Sequence, residues 1–125
     1  VTGRNKSFYG GKMVLMISSQ QGTLDSPVET RFGRSPWYIR YDTETKQWEA
    51  FQNPGLNESG GAGIAAAQFA VNQKANVVIS GNFGPNAAQV FQKANIGMYL
   101  FTGDVSSISQ TIEKMQQGKL TEFSM

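Results

Sequence analysis

The 125-residue chain has no cysteine and no histidine. The first absence excludes disulfides, thiolate metal sites and cysteine nucleophiles, and the second removes the commonest metal ligand and general base. No apolar run approaches the roughly 20 residues that cross a bilayer. Charge is sparse, at 16% of residues against 39% hydrophobic, which describes one soluble globular domain with a real core and leaves too little chain for two. The formal net charge is only +2, and Arg4 and Lys6 account for it; the chain beyond residue 11 is balanced. A duplex-binding footprint is therefore not expected.

Residues 1–11, VTGRNKSFYGG, have no apolar period and end in Gly10-Gly11, so a flexible extension is expected there. They lack the apolar stretch and small-residue cleavage site of a secretory signal, and cytoplasmic residence is the expectation. The domain proper is expected over residues 12–120, with a tail at 121–125. Lys12 to Ser18 reads as a first strand, apolar on both faces, and Leu24 to Pro36 as a long ordered loop, because glycine and proline interrupt it. Trp37 to Asp42 and Gln47 to Gln52 flank Thr43–Lys46 as an antiparallel hairpin. Its five aromatics (Trp37, Tyr38, Tyr41, Trp48, Phe51) suit cross-strand and core packing, or a ligand-stacking surface.

Ile64 to Gln73, alanine-rich after Gly60-Gly61-Ala62-Gly63, is predicted as a close-packed helix. Val77-Val78-Ile79 is the expected central strand. It exits through Ser80-Gly81-Asn82-Phe83-Gly84 into a helix starting at about Pro85, where a missing N–H costs nothing. Gly97 to Phe101 follows as a strand. Asp104 then caps a last helix with Val105, Ile108, Ile112 and Met115 on one face, stopped by Gly118. This order predicts an α/β fold with a five-stranded mixed sheet and helices on both faces.

The glycine loop after the central strand is not a P-loop, since Gly-Asn-Phe-Gly-Pro-Asn lacks the Lys-Ser/Thr pair that grips nucleotide phosphates. It is either plain punctuation between strand and helix or, at a strand's carboxyl end, an anion site.

Several stretches carry a resemblance. Asp25-Ser26-Pro27-Val28 with Arg31-Phe32-Gly33-Arg34-Ser35-Pro36, then Asn53-Pro54 and Gly60-Gly61-Ala62-Gly63-Ile64, then Ser80 to Ala87, follow one another at family spacing. On these motifs, between about Lys12 and Leu120, the chain resembles the dinitrogenase iron-molybdenum cofactor biosynthesis family of NifX-type, NafY-type and NifB C-terminal domains. The resemblance implies a ribonuclease H-like three-layer α/β/α fold. It also implies a non-catalytic carrier of iron-molybdenum cofactor, or of a related molybdenum or iron-sulfur cluster, with cofactor-assembly proteins as partners. Histidine or cysteine ligation cannot carry over, because neither residue is present.

An anionic cluster could instead be held by the N–H groups of two glycine-rich helix starts, with Arg31 and Arg34 supplying charge. The candidate cofactor-binding residues are thus Arg31, Arg34, Gly61, Ala62, Gly63, Asn82, Phe83, Gly84 and Asn86. Arg31 and Arg34 have a second reading, lacing the long loop to the fold through Asp25 or Glu29. Two other functions stand beside the carrier. One is a protein-interaction domain docking through the hairpin or the extension, with no ligand. The other is a ribonuclease H-like nuclease, which needs acids converging at strand ends; the first and central strands carry none, and Asp25, Asp42, Glu44 and Asp104 fall mostly in loops, as turn and cap residues.

Overall fold

A computed structural model describes residues 12–56 and 60–124. The extension expected at residues 1–11 lies outside these, as does Met125. Strand β1 (Val14–Ser19) is buried along its whole length, as its unbroken apolar run requires of a strand covered on both faces. Beside it runs β2 (Trp37–Asp42), antiparallel, with Val14 opposite Asp42 and Ser19 opposite Trp37. On its other side lies β4 (Val77–Ser80), parallel, with Leu15 opposite Val77 and Ile17 opposite Ile79. β3 (Trp48–Gln52) completes the hairpin with β2, and β5 (Gly97–Leu100) pairs parallel to β4.

Among the described residues the sheet has six strands, in the order β3-β2-β1-β4-β5-β6, rather than the expected five. The sixth, β6 (Thr121–Glu122), lies in the stretch expected to be a tail and pairs antiparallel with Tyr99 and Leu100 of β5. It is held there because its neighbours pack against opposite faces. Leu120 joins the core on one side, while the ring of Phe123 packs 5.3 Å from that of Phe83 on the other.

Helices α1 (Ala62–Asn72) and α2 (Pro85–Lys93) cover one face and α3 (Ile108–Gln116) the other. The strands supply both cores by alternation. Met16, Val78 and Met98 meet Ala66, Ala67 and Ala70 of α1 and Ala88 and Phe91 of α2. Leu15, Ile17, Val77 and Ile79 meet Ile108, Ile112 and Met115 of α3. Each Val, Leu, Ile or Met of β1 and β4 so buried contributes about 1.5–3 kcal/mol, which makes these strands firmly anchored and a rigid platform at their ends.

The last helix starts later than Asp104. Ser107 is its N-cap: the Ser107 side chain accepts from the Gln110 N–H, and the Gln110 side chain accepts from the Ser107 N–H, a complete capping box. Asp104 instead accepts from the Thr102 hydroxyl and pairs with Lys114 at 3.0 Å. That exposed network holds its carboxyl well below the ordinary 3.8, at about 2.

Candidate functional site

At the carboxyl ends of β1 and β4 the apolar runs give way to two buried serines, whose hydroxyls lie 2.8 Å apart. They hold the long loop across the strand ends. Ser18 Oγ donates to the Glu29 carbonyl at 2.6 Å, and the Glu29 N–H donates to the Ser18 carbonyl at 3.2 Å. Further on, the Phe32 N–H donates to the Asn82 carbonyl at 3.3 Å, forming a parallel bridge between Arg31 and Asn82. The crossing leaves no room at Gly81, where a Cβ would lie 2.7 Å from the Cα of Thr30 and 2.8 Å from its carbonyl oxygen.

The second half of the loop is pinned by Asn53, buried where the hairpin ends. Its Nδ2 reaches the carbonyls of Gly33 at 3.1 Å and Ser35 at 2.9 Å, and its Oδ1 accepts from the Gly55 N–H at 2.8 Å. Tyr38, also in contact with Asn53 Nδ2, donates its hydroxyl to the Phe32 carbonyl. Burial, and then the charge of Glu29, push the Tyr38 phenol well above its ordinary 10, so it stays a donor at any working pH. The loop so held lies directly on the start of α1: a Cβ on Gly33 would come within 3.1 Å of Gly63 Cα, and Gly63 in turn faces Ala87 of α2.

These approaches gather the loop and two helix starts around one cleft of about 330 Å³. Eight of the nine residues singled out in the sequence line it: Arg31 and Arg34 from the loop, Gly61, Ala62 and Gly63 from α1, and Asn82, Gly84 and Asn86 from the β4–α2 turn. Phe83 does not. It is 4% exposed and packs its ring 5.3 Å from Phe32 and 6.1 Å from Phe91, because an aromatic side chain gains more from the core than from a polar cleft. Phe32, Gly33 and Ala87 also line the cleft and were not singled out. The run Arg31-Phe32-Gly33-Arg34 was itself the available signal, since a loop tight enough to bring both arginines to one place brings the residues between them.

The two helices differ from α3 in how they begin. The N-caps of α1 and α2 are Gly61, at φ 74°, and Gly84, and neither helix start has a side-chain cap. First-turn N–H groups at Gly63, Asn86 and Ala87 therefore lack the side-chain acceptor that Ser107 gives α3, and the positive ends of both helix dipoles lie at the cleft. Among the described residues the lining carries two arginines and no carboxylate.

Each arginine also has a partner beside the cleft. Arg31 Nε donates to Glu29 Oε2 at 3.2 Å, and Arg34 Nη1 reaches the Leu56 carbonyl at 3.4 Å. The expected pairing of an arginine with Glu29 is present, within the loop itself rather than between the loop and the rest of the fold, and it coexists with a place in the cleft.

Two larger concavities lie elsewhere. One, about 450 Å³, is bordered by Arg40, Asp42, Lys46 and Glu49, charges of both signs; the other, about 440 Å³, lies between Tyr41 and Ile112 beside Glu113. Neither sits at a strand–helix switch. The hairpin aromatics chiefly pack: Tyr38 and Tyr41 are buried and Phe51 meets Phe69 edge-on at 5.3 Å, whereas Trp48 is 40% exposed. Asp25, Asp42, Glu44 and Asp104 do not converge, and no group of three or more carboxylates positioned for a metal occurs among the described residues.

Comparison with known proteins agrees with this architecture. An uncharacterized protein of Methanocaldococcus jannaschii is 30% identical over 95 residues, covering 74% of this chain and 79% of its own. The apo form of the orange protein from Desulfovibrio gigas superposes with a TM-score of 0.84 at 28% identity, over 90% of this chain and 93% of that one. The NMR structure of a Thermotoga protein, described as a candidate NifB protein of the DUF35 family, gives 0.78 at 28% identity, over 90% and 97%. The family model described as dinitrogenase iron-molybdenum cofactor matches residues 13–118, and the chain belongs to that family.

Proposed function

We propose that the chain is a small non-catalytic carrier that holds iron-molybdenum cofactor, or a related anionic metal–sulfur cluster, in the cleft between the 31–34 loop and the starts of α1 and α2. The observation that carries this reading is the convergence of two side-chain-uncapped helix starts and two arginines on one concave surface without a lining carboxylate. The donor set fits an anion gripped from outside by N–H and guanidinium groups; it offers no thiolate or imidazole to a metal. Charge-assisted hydrogen bonds of about 1.5–3 kcal/mol each give useful affinity when several converge. The glycines let a bulky ligand approach the backbone at the loop and at both helix starts.

Family membership supports the reading, as does a sheet whose β2 alone among β1–β5 runs against the others, the arrangement of a ribonuclease H-like domain. Partners would then be cofactor-assembly proteins that load and unload the cleft, in the cytoplasm. One observation favours a second reading, a protein-interaction domain without ligand: Trp48 lies exposed on the edge strand β3, where an unpaired backbone can add a partner's strand.

Anaerobic titration with iron-molybdenum cofactor and with thiomolybdate, followed by desalting, tests the proposal. The wild-type chain is expected to retain molybdenum near one equivalent and the Arg31→Ala/Arg34→Ala variant to lose at least tenfold in affinity, with its melting temperature nearly unchanged. Equal retention by both chains would contradict it.

A further inference from the structure

We infer that Glu29 positions Arg31 and, by competing with the bound anion for it, sets how readily the cleft releases its cargo. The inference rests on the anion-binding reading of the cleft. Glu29 is a carboxylate only 8% exposed on a surface loop, and its main chain is fixed from both sides by Ser18, near the end of the fully buried strand β1. Its side chain reaches forward along the loop, where Oε2 accepts from the Arg31 N–H at 3.0 Å and from Arg31 Nε at 3.2 Å. One oxygen therefore fixes both the backbone of Arg31 and the root of its guanidinium, while the Arg31 side chain remains 67% exposed at the cleft.

Such a carboxylate costs desolvation and opposes any anion nearby, so lacing alone is a poor use for it. A neutral acceptor would do that with less electrostatic penalty. What the charge adds is a counter-ion for Arg31 when the cleft is empty. An incoming polyanion must share Arg31 with Glu29, and on departure the carboxylate takes the guanidinium back. The cleft thus holds its ligand less tightly than two unopposed arginines would, as a carrier that must hand cargo on requires. Glu29 acts through Arg31 and is a positioning residue, without contact to the ligand.

The test is a double-mutant cycle on thiomolybdate binding, measured anaerobically at several salt concentrations with the full chain. Glu29→Gln keeps an acceptor for the Arg31 N–H but removes the opposing charge. It is expected to bind about three- to tenfold more tightly, with a steeper salt dependence. In an Arg31→Ala background the same substitution is expected to lose most of that gain, since the effect runs through the guanidinium. Glu29→Gln binding equal to or weaker than wild type, or a gain undiminished without Arg31, overturns the inference and leaves the carrier reading standing. No binding by wild type or any variant overturns the carrier reading and the release role with it. A readout that needs no ligand guards against a misfolded variant: in the wild-type chain the NMR signal of Arg31 Nε–H should exchange slowly with solvent, and exchange as fast as in free arginine would also overturn the inference.

Discussion

At the scale of single residues, the cleft depends on places where there is no side chain. Gly81 and Gly33 mark two crossings of main chain over main chain, the loop over the β4 exit and the loop over the start of α1. Gly81→Ala places a methyl group 2.7 Å from Thr30 Cα, in contact with backbone rather than with a side chain that could turn aside. The expected cost is about 1–3 kcal/mol in urea unfolding, with the 29–32 segment displaced and anion binding lost together. The sequence marked these positions only as turn glycines. Composition tells that a loop bends, whereas the strand it crosses is a tertiary fact. Phe83 shows the same limit in reverse: its neighbours in the motif line the cleft, yet an aromatic ring beside Phe32 and Phe91 belongs to the core, and spacing along the chain does not reveal which way it turns.

At the scale of elements, how each helix begins separates site from scaffold. α3 begins in a capping box built from Ser107 and Gln110, and α1 and α2 begin in glycine. The sequence pointed to Asp104 because aspartate and serine cap equally well, and the Ser-x-x-Gln pattern that decides between them lies three residues further on. Asp104 serves instead in an exposed network with Thr102 and Lys114 ahead of that helix. Because its carboxyl is depressed to about 2, its contribution to stability is full above the ordinary 3.8 and disappears as pH falls through about 2. The melting temperature of Asp104→Asn should therefore lie below wild type at pH 5 and converge with it near pH 2. A gap independent of pH would show that the network does not act through the charge. Strands β1 and β4 and the start of α2 were legible because β-branched and apolar runs, Gly and Pro act locally. β6 was not, since two residues carry no period and its place is set by Leu120 and Phe123 on either side.

At the scale of the whole molecule, two cores fix β1 and β4, the strands end in hydrogen-bonding serines, and the loop, α1 and α2 meet at that edge. The arrangement concentrates positive potential without histidine, cysteine or a large net charge, through backbone N–H groups and two arginines. Composition alone therefore says little about it, and the family motifs that do are the segments the fold brings together. The most direct test of the central claim is amide chemical-shift mapping during anaerobic titration with thiomolybdate. With the anion held at the helix starts, the N–H signals of Gly63, Asn86 and Ala87, with those of Arg31 and Arg34, are expected to move first and saturate together, while Trp48 and the β3 edge stay still. Shifts confined to β3, or none at the helix starts at saturation, would contradict it.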